Sequence, residues 1–183
     1  VLPLAQGWSR EGFYFFSPAV TGGIVYLPRS TDPNIPTPGG GLVAYRLSDG
    51  VEQWARTDLA VWGNAAVEGT TVVVGGSALY ALNIADGLTR WIYDEAAATD
   101  IIFDNPTIGN GIVYAWKRGS GVVAIDLATG ALLWTRAVGS VAGKPPNVTA
   151  DAVYALGNFS GAAQGTIWKL NPANGAVIWS RSL

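Results

Sequence analysis

A glycine followed four residues later by a tryptophan recurs four times in this chain of 183 residues: Gly50 and Trp54, Gly87 and Trp91, Gly130 and Trp134, Gly175 and Trp179. The glycines stand 37, 43 and 45 residues apart. Six positions before them come Ala44, Ala81 and Ala124, with Lys169 in the last copy; five positions before come Tyr45, Leu82, Ile125 and Leu170. A register held at four positions across four copies is an internal repeat. A period near 40 residues confines the chain to small stacked units, none able to bury its apolar faces alone.

Each copy carries a second pattern upstream: "SPAVTGGIVYL", "NAAVEGTTVVV", "NPTIGNGIVYAW" and "PPNVTADAVYAL". Each reads as a short apolar stretch, a turn and a β-branched or aromatic run. One unit is therefore strand, turn, strand, loop, strand, turn, strand. The glycine supplies the positive φ of a two-residue hairpin, and Asp49, Asp86, Thr129 or Asn174 precedes it. Four antiparallel strands per repeat describe a propeller blade, and helical periodicity is absent. The expected fold class is all-β: one propeller or propeller arc over residues 1–183, with blades at 17–57, 64–94, 105–138 and 145–183. Residues 1–16 are left as an orphan outer strand and lead-in, because "GWSR" around Trp8 echoes "QWAR", "LWTR" and "IWSR".

The third strand of each unit is apolar on both faces. Val43 and Tyr45 share one face with the pattern of Tyr80 and Leu82, Val123 and Ile125, and Trp168 and Leu170. Leu42 and Ala44, Leu79 and Ala81, and Val122 and Ala124 occupy the other. A sheet apolar on both faces is covered on both. Small alanines would let the neighbouring sheet come close, and Lys169 predicts a wetter face on the last blade.

Composition narrows the chemistry. Hydrophobic residues make up 49% and charged residues 13%, which argues for a packed chain. With no Cys and no His, thiol nucleophiles, disulfides, imidazole bases and the common zinc sites are excluded. A net charge of −2 offers no basic field for nucleic acid, and no apolar run is long enough for a spanning helix, so membrane insertion is not expected. The absence of Met points to a processed or excised chain, and abundant Gly, Ala, Thr and Val suggest an extracytoplasmic place: secreted, cell-surface or periplasmic.

The stretch "AIDLATGALLW", with Ala124, Asp126, Thr129, Gly130 and Trp134, resembles the PQQ-like, tryptophan-docking β-propeller repeat. The other copies depart from it at the acidic position, where Arg46, Asn83 and Asn171 stand. The resemblance covers residues 17–183 and implies blades docked by Trp8, Trp54, Trp91, Trp134 and Trp179 against turns built on Gly50, Gly87, Gly130 and Gly175. Aromatic ligand stacking is the alternative use of these rings. The resembled family includes quinoprotein dehydrogenases, which bind their cofactor and calcium on the ring axis, and non-catalytic scaffolds.

The expectation is a non-catalytic scaffold for protein interaction or assembly, with no cofactor, whose partners are other proteins or identical subunits. A self-associating subunit of an extracellular filament or ring is a second reading, and a fragment of a quinoprotein dehydrogenase a third. Candidate hard-cation ligands are Asp94, Glu95, Asp100 and Asp104, though they lack the spacing of a dedicated calcium loop. Candidate partner contacts are Pro28, Pro33, Ile35, Pro36 and Pro38 in the proline-rich insertion, and Phe159 in the last copy's insertion. The aromatic run "GFYFF" at Gly12 to Phe16 reads as an inner strand or an interface seal.

Overall fold

The computed structural model describes residues 7–12, 16–30, 40–95, 103–139, 144–157 and 165–183. Within them lie four four-stranded antiparallel sheets, each built from strands consecutive in the chain. Blade 1 comprises β1 (Ala19–Thr21), β2 (Ile24–Pro28), β3 (Leu42–Arg46) and β4 (Glu52–Arg56). Blade 2 comprises β5 (Val61–Glu68), β6 (Thr71–Gly76), β7 (Leu79–Asn83) and β8 (Thr89–Tyr93). Blade 3 follows with β9 (Phe103–Gly109), β10 (Ile112–Lys117), β11 (Gly121–Asp126) and β12 (Leu132–Arg136). Blade 4 ends the chain with β13 (Asn147–Val148), β14 (Val153–Gly157), β15 (Thr166–Leu170) and β16 (Val177–Ser182).

The sheets stack in chain order because their middle strands are apolar on both faces. Leu42 and Ala44 of blade 1 pack with Val72, Tyr80 and Leu82 of blade 2. Leu79 and Ala81 of blade 2 meet Val113, Val123 and Ile125 of blade 3. Val122 and Ala124 of blade 3 meet Val153 and Leu170 of blade 4. Ala44, Ala81 and Ala124 are fully buried at the three junctions. The fourth cluster joins Val25, Val43 and Tyr45 of blade 1 to Trp8, so among the described residues that face is covered by the N-terminal segment.

The repeated turn is wider than the two-residue hairpin expected from sequence. In blade 1 the Arg46 N–H donates to the Val51 carbonyl at 2.8 Å, and the Gly50 N–H donates back to the Arg46 carbonyl at 2.8 Å, leaving four residues in the loop. The same pair of bonds recurs from Asn83, Asp126 and Asn171. The glycines have φ of 67°, 72°, 75° and 66°, the left-handed region that disfavours a side chain. The residue before each glycine accepts from the amide two positions on: Asp49 from Val51, Asp86 from Leu88, Thr129 from Ala131 and Asn174 from Ala176. This explains why only Asp, Thr and Asn stand there.

Residues 7–10 lie outside the described strands. Gly12 and Phe16 lie outside the strands, and residues 13–15 fall outside the described residues.

Candidate functional site

The most regular chemistry in the molecule lies where a tryptophan of one blade crosses a glycine of the next. The Trp54 Nε1–H donates to the Ile84 carbonyl at 2.9 Å, while a Cβ placed on Gly87 would stand 2.7 Å from the Trp54 ring. Trp91 repeats this on Gly130, donating to the Leu127 carbonyl at 2.8 Å. Trp134 repeats it on Gly175, donating to the Pro172 carbonyl at 2.9 Å. Trp8 lies on Gly50 in the same way and donates to the Leu47 carbonyl at 2.7 Å. In every case the acceptor is the third residue before the glycine. A buried indole needs a partner for its one donor, and the turn presents a carbonyl at a fixed offset to meet it.

A second contact accompanies the first. The Arg10 Nε–H donates to the Gly50 carbonyl at 2.8 Å, the Arg56 guanidinium donates to the Gly87 carbonyl at 2.8 Å, and the Arg136 Nε–H donates to the Gly175 carbonyl at 2.6 Å. Tryptophan and the arginine two residues on thus hold two carbonyls of one turn. The tetrapeptides "GWSR", "QWAR" and "LWTR" contain both residues, but an arginine on an outer strand ordinarily points to solvent, so its role was not readable from sequence. Blade 2 has Tyr93 at this position, which donates instead to Glu95 at 2.9 Å.

Trp179 is the exception. It is 42% exposed, against 8% for both Trp91 and Trp134, and all of β16 is exposed. Its surroundings otherwise match the inner copies: its ring centroid lies 6.2 Å from Tyr154, as Trp54 lies 5.8 Å from Tyr26 and Trp134 lies 5.8 Å from Tyr114. On the neighbouring strand Lys169 pairs in register with Trp179, where the inner copies have alanine. Lys169 reaches Asp151 at 3.5 Å and sits 5.8 Å from the Tyr154 ring centroid, which keeps the face wet as its sequence suggests. A cleft of about 350 Å³ beside it is lined by Ile167, Trp179, Ser180 and Arg181.

The acidic run is not gathered into one site. Glu95 is tied to Lys117 at 2.5 Å, and that bond, helped by the Tyr93 hydroxyl, holds its carboxyl below the usual range. The Tyr93 phenol is pushed up to about 12, first by burial and then by Glu95. Asp94 is exposed. Asp104 lines a separate cleft of about 260 Å³ with Phe16, Trp62 and Arg118; burial raises its carboxyl despite Arg118 at 3.7 Å. Asp100 lies outside the described residues, and among those described no three acidic, His or Cys side chains converge as metal ligands would. Of the candidate partner residues, Pro28 is buried at the end of β2, whereas Pro33, Ile35, Pro36, Pro38 and Phe159 fall outside the described residues.

A further set of contacts, not anticipated from sequence, ties the first strands together. The Ser17 N–H donates to Asn64 Oδ1 at 2.8 Å, and the Asn64 N–H donates to Asn105 Oδ1 at 3.1 Å. Each amide is therefore satisfied by the side chain one blade further on. The series stops before blade 4, where the corresponding residue is Pro145 and no amide side chain is available.

No family model matches the chain. It is 29% identical over 181 residues to the outer membrane protein assembly factor BamB of Yersinia pestis, covering 90% of this chain and 42% of that protein. The chain thus spans less than half the length of this relative. Among solved structures it resembles BamB from Moraxella catarrhalis (TM-score 0.65, 17% identity, 90% of this chain and 50% of that one). It also resembles the quinohemoprotein alcohol dehydrogenase from Comamonas testosteroni (TM-score 0.74, 16% identity, 96% of this chain and 35% of that one). The computationally designed Ika4 protein is matched over 88% of this chain and 93% of its own, with a TM-score of 0.67 and 13% identity. At such identities the structures speak for the fold alone. The fold is that of a β-propeller made of four-stranded antiparallel blades, and the likeness to BamB together with that to the quinoprotein dehydrogenase supports the PQQ-like repeat family.

Proposed function

We propose that this chain is a non-catalytic β-propeller scaffold for protein interaction and assembly, working outside the cytoplasm. The observation that carries the reading is its 29% identity, across nine-tenths of the chain, to an outer membrane protein assembly factor. The site chemistry agrees with it. The recurring indole-to-carbonyl bonds hold blade to blade, and Glu95 and Asp104 face Lys117 and Arg118 rather than one shared cavity. Identical subunits count among the partners we propose; Trp179 of blade 4 is 42% exposed.

The test is photo-crosslinking in intact envelopes from a reactive side chain placed at the exposed positions Leu88 and Leu132. Crosslinks to proteins of outer membrane assembly are expected. PQQ and calcium binding accompanied by reduction of an electron acceptor would overturn the reading in favour of a quinoprotein dehydrogenase.

A further inference from the structure

The first strands of blades 2 and 3 run so close at their start that a Cβ on Gly63 would stand 2.9 Å from the Asn105 nitrogen. Trp62 precedes Gly63 and Asp104 precedes Asn105, so this approach brings an indole and a carboxylate to one place. Both residues stand where pairing within their own sheet is irregular. The β5–β6 register shifts between Val61 and Ala65, and the β9–β10 register shifts between Asp104 and Thr107, beside Asn105 with its φ of 46°. Irregularities of this kind re-aim a side chain away from the plain alternation of a strand. Trp62 and Asp104 line, with Phe16 and Arg118, the cleft of about 260 Å³. Three of these four residues belong to blades 2 and 3, each flanked within this chain by a blade on either side.

Charge in the cleft is poorly balanced. The Asp104 side chain is only 15% exposed, and its one charged partner among the described residues is Arg118, at 3.7 Å and itself 50% exposed. A charge-assisted bond ordinarily closes to about 2.7–2.9 Å, so this pair is loose. A carboxylate held out of water with so distant a partner works against stability, a burden that proteins carry where binding uses the group. The donor set does not suit a hard metal cation, which takes six or more oxygens, because one carboxylate stands here among two rings and a guanidinium. The volume falls below the roughly 300–1,000 Å³ of pockets for cofactors and drug-sized molecules, and suits a single side chain.

We propose that this cleft binds a primary ammonium, the lysine side chain of a protein partner. The ammonium bonds the Asp104 carboxylate, the stem lies along Trp62 and Phe16, and Arg118 turns out into solvent. The lysine as source rests on the reading above that the partners are proteins, whereas the ammonium chemistry stands on the cleft alone. An ammonium is a compact charge with three rotatable donors and can close on Asp104, where the planar guanidinium of Arg118 stays at 3.7 Å. Lysine stems bury along apolar surface while the head stays charged, and aromatic faces attract the cation further. Arg118 yields readily because a half-exposed pair contributes little.

The experiment follows the Trp62 indole N–H signal of the full 183-residue chain by nitrogen-15 NMR, assigned with Trp62→Phe. Three probes are titrated: N-acetyl-lysine methylamide, its norleucine analogue, which keeps the stem and lacks the charge, and its glutamate analogue. The lysine probe is expected to shift the signal to saturation, and the other two are not. Asp104→Asn keeps the shape of the side chain and is expected to weaken the lysine probe at least about tenfold, the loss of one hydrogen bond to a charged group. Arg118→Ala removes the competing cation and is expected to tighten it. Equal binding of lysine and norleucine, or indifference to Asp104→Asn, overturns recognition of the charge. Binding of the glutamate probe that Arg118→Ala abolishes overturns it in favour of an anion site. A Trp62 signal that no probe moves overturns the site altogether, and the scaffold reading keeps its own crosslinking test. A lysine probe that binds in a chain yielding no crosslinks supports the ammonium site and removes the protein as its source.

Discussion

The Trp91 ring leaves no room for a side chain on Gly130: a Cβ there would stand 2.8 Å from two of its carbons. Gly130 also has φ 75°, so two independent penalties meet at one residue. Gly130→Ala should cost about 2–4 kcal/mol, combining left-handed strain with overpacking. Gly69, with φ 58° and nothing within 4 Å of a Cβ, carries the strain alone, and Gly69→Ala should cost about 1 kcal/mol. Urea unfolding of both variants measures the difference. Equal losses would mean that the ring yields without cost.

Trp134 separates the hydrogen bond from the buried ring. Trp134→Phe keeps most of the apolar area and leaves the Pro172 carbonyl only the longer bond from the Tyr114 hydroxyl at 3.4 Å, which should cost about 1 kcal/mol. Trp134→Ala opens a cavity between blades 3 and 4 and should cost about 3–5 kcal/mol. In dilute, monomeric protein Trp179→Ala should cost no more than about 1 kcal/mol, because that indole is 42% exposed. A Trp179→Ala loss equal to that of Trp134→Ala would show that exposure misstates its packing.

The repeat was legible because stacking imposes one periodic demand. Ala44, Ala81 and Ala124 recur since each lies where the next sheet approaches, and the faces of β3, β7 and β11 follow from alternation alone. The turn was misjudged in width because an Asx–Gly signal is shared by several loop lengths, and only the Gly50 to Arg46 bond distinguishes them. Arg10, Arg56 and Arg136 were hidden for a different reason. Their value depends on a carbonyl about 30 to 40 residues away, which no local pattern encodes. The carboxylates of the acidic run looked like one cluster in sequence, yet Glu95 turns to β10 and Asp104 to the turn that follows it.

Those two carboxylates should respond to pH with opposite signs. The Glu95 carboxyl is held low by Lys117, so the stability it contributes is present above its ordinary value of 4.5 and is lost as pH falls through the depressed one. Asp104 is raised by burial, so its favourable state is the protonated one, and the cost appears as pH rises through its folded value. Asp104→Asn should therefore be more stable than the parent at pH 7, with the gap closing as pH falls below 3.8. Glu95→Gln should be less stable at pH 7, with its gap closing on the acid side. Stability measured by denaturant at several pH values checks both signs. An Asp104→Asn variant weaker at pH 7 would mean that Arg118 outweighs burial.

Asn105 combines a rare backbone with a contact between blades, and the two can be separated by substitution. Its φ of 46° lies where asparagine and glycine are tolerated and other side chains are strained. Its Oδ1 accepts the Asn64 N–H from the neighbouring blade at 3.1 Å. Its own backbone leaves no space on that side, since a Cβ on Gly63 would stand 2.9 Å from the Asn105 nitrogen. Asn105→Gly relieves the backbone and loses only the acceptor, which should cost about 1 kcal/mol. Asn105→Ala loses the same acceptor and adds left-handed strain, for about 2 kcal/mol in all. Glycine should thus be the milder replacement in a strand, where it is ordinarily the harsher one. Paired urea titrations of the two variants read the ordering directly, and hydrogen exchange at the Asn64 amide should quicken in both. If Asn105→Ala proves the more stable of the two, the positive φ is not what asparagine is there to supply.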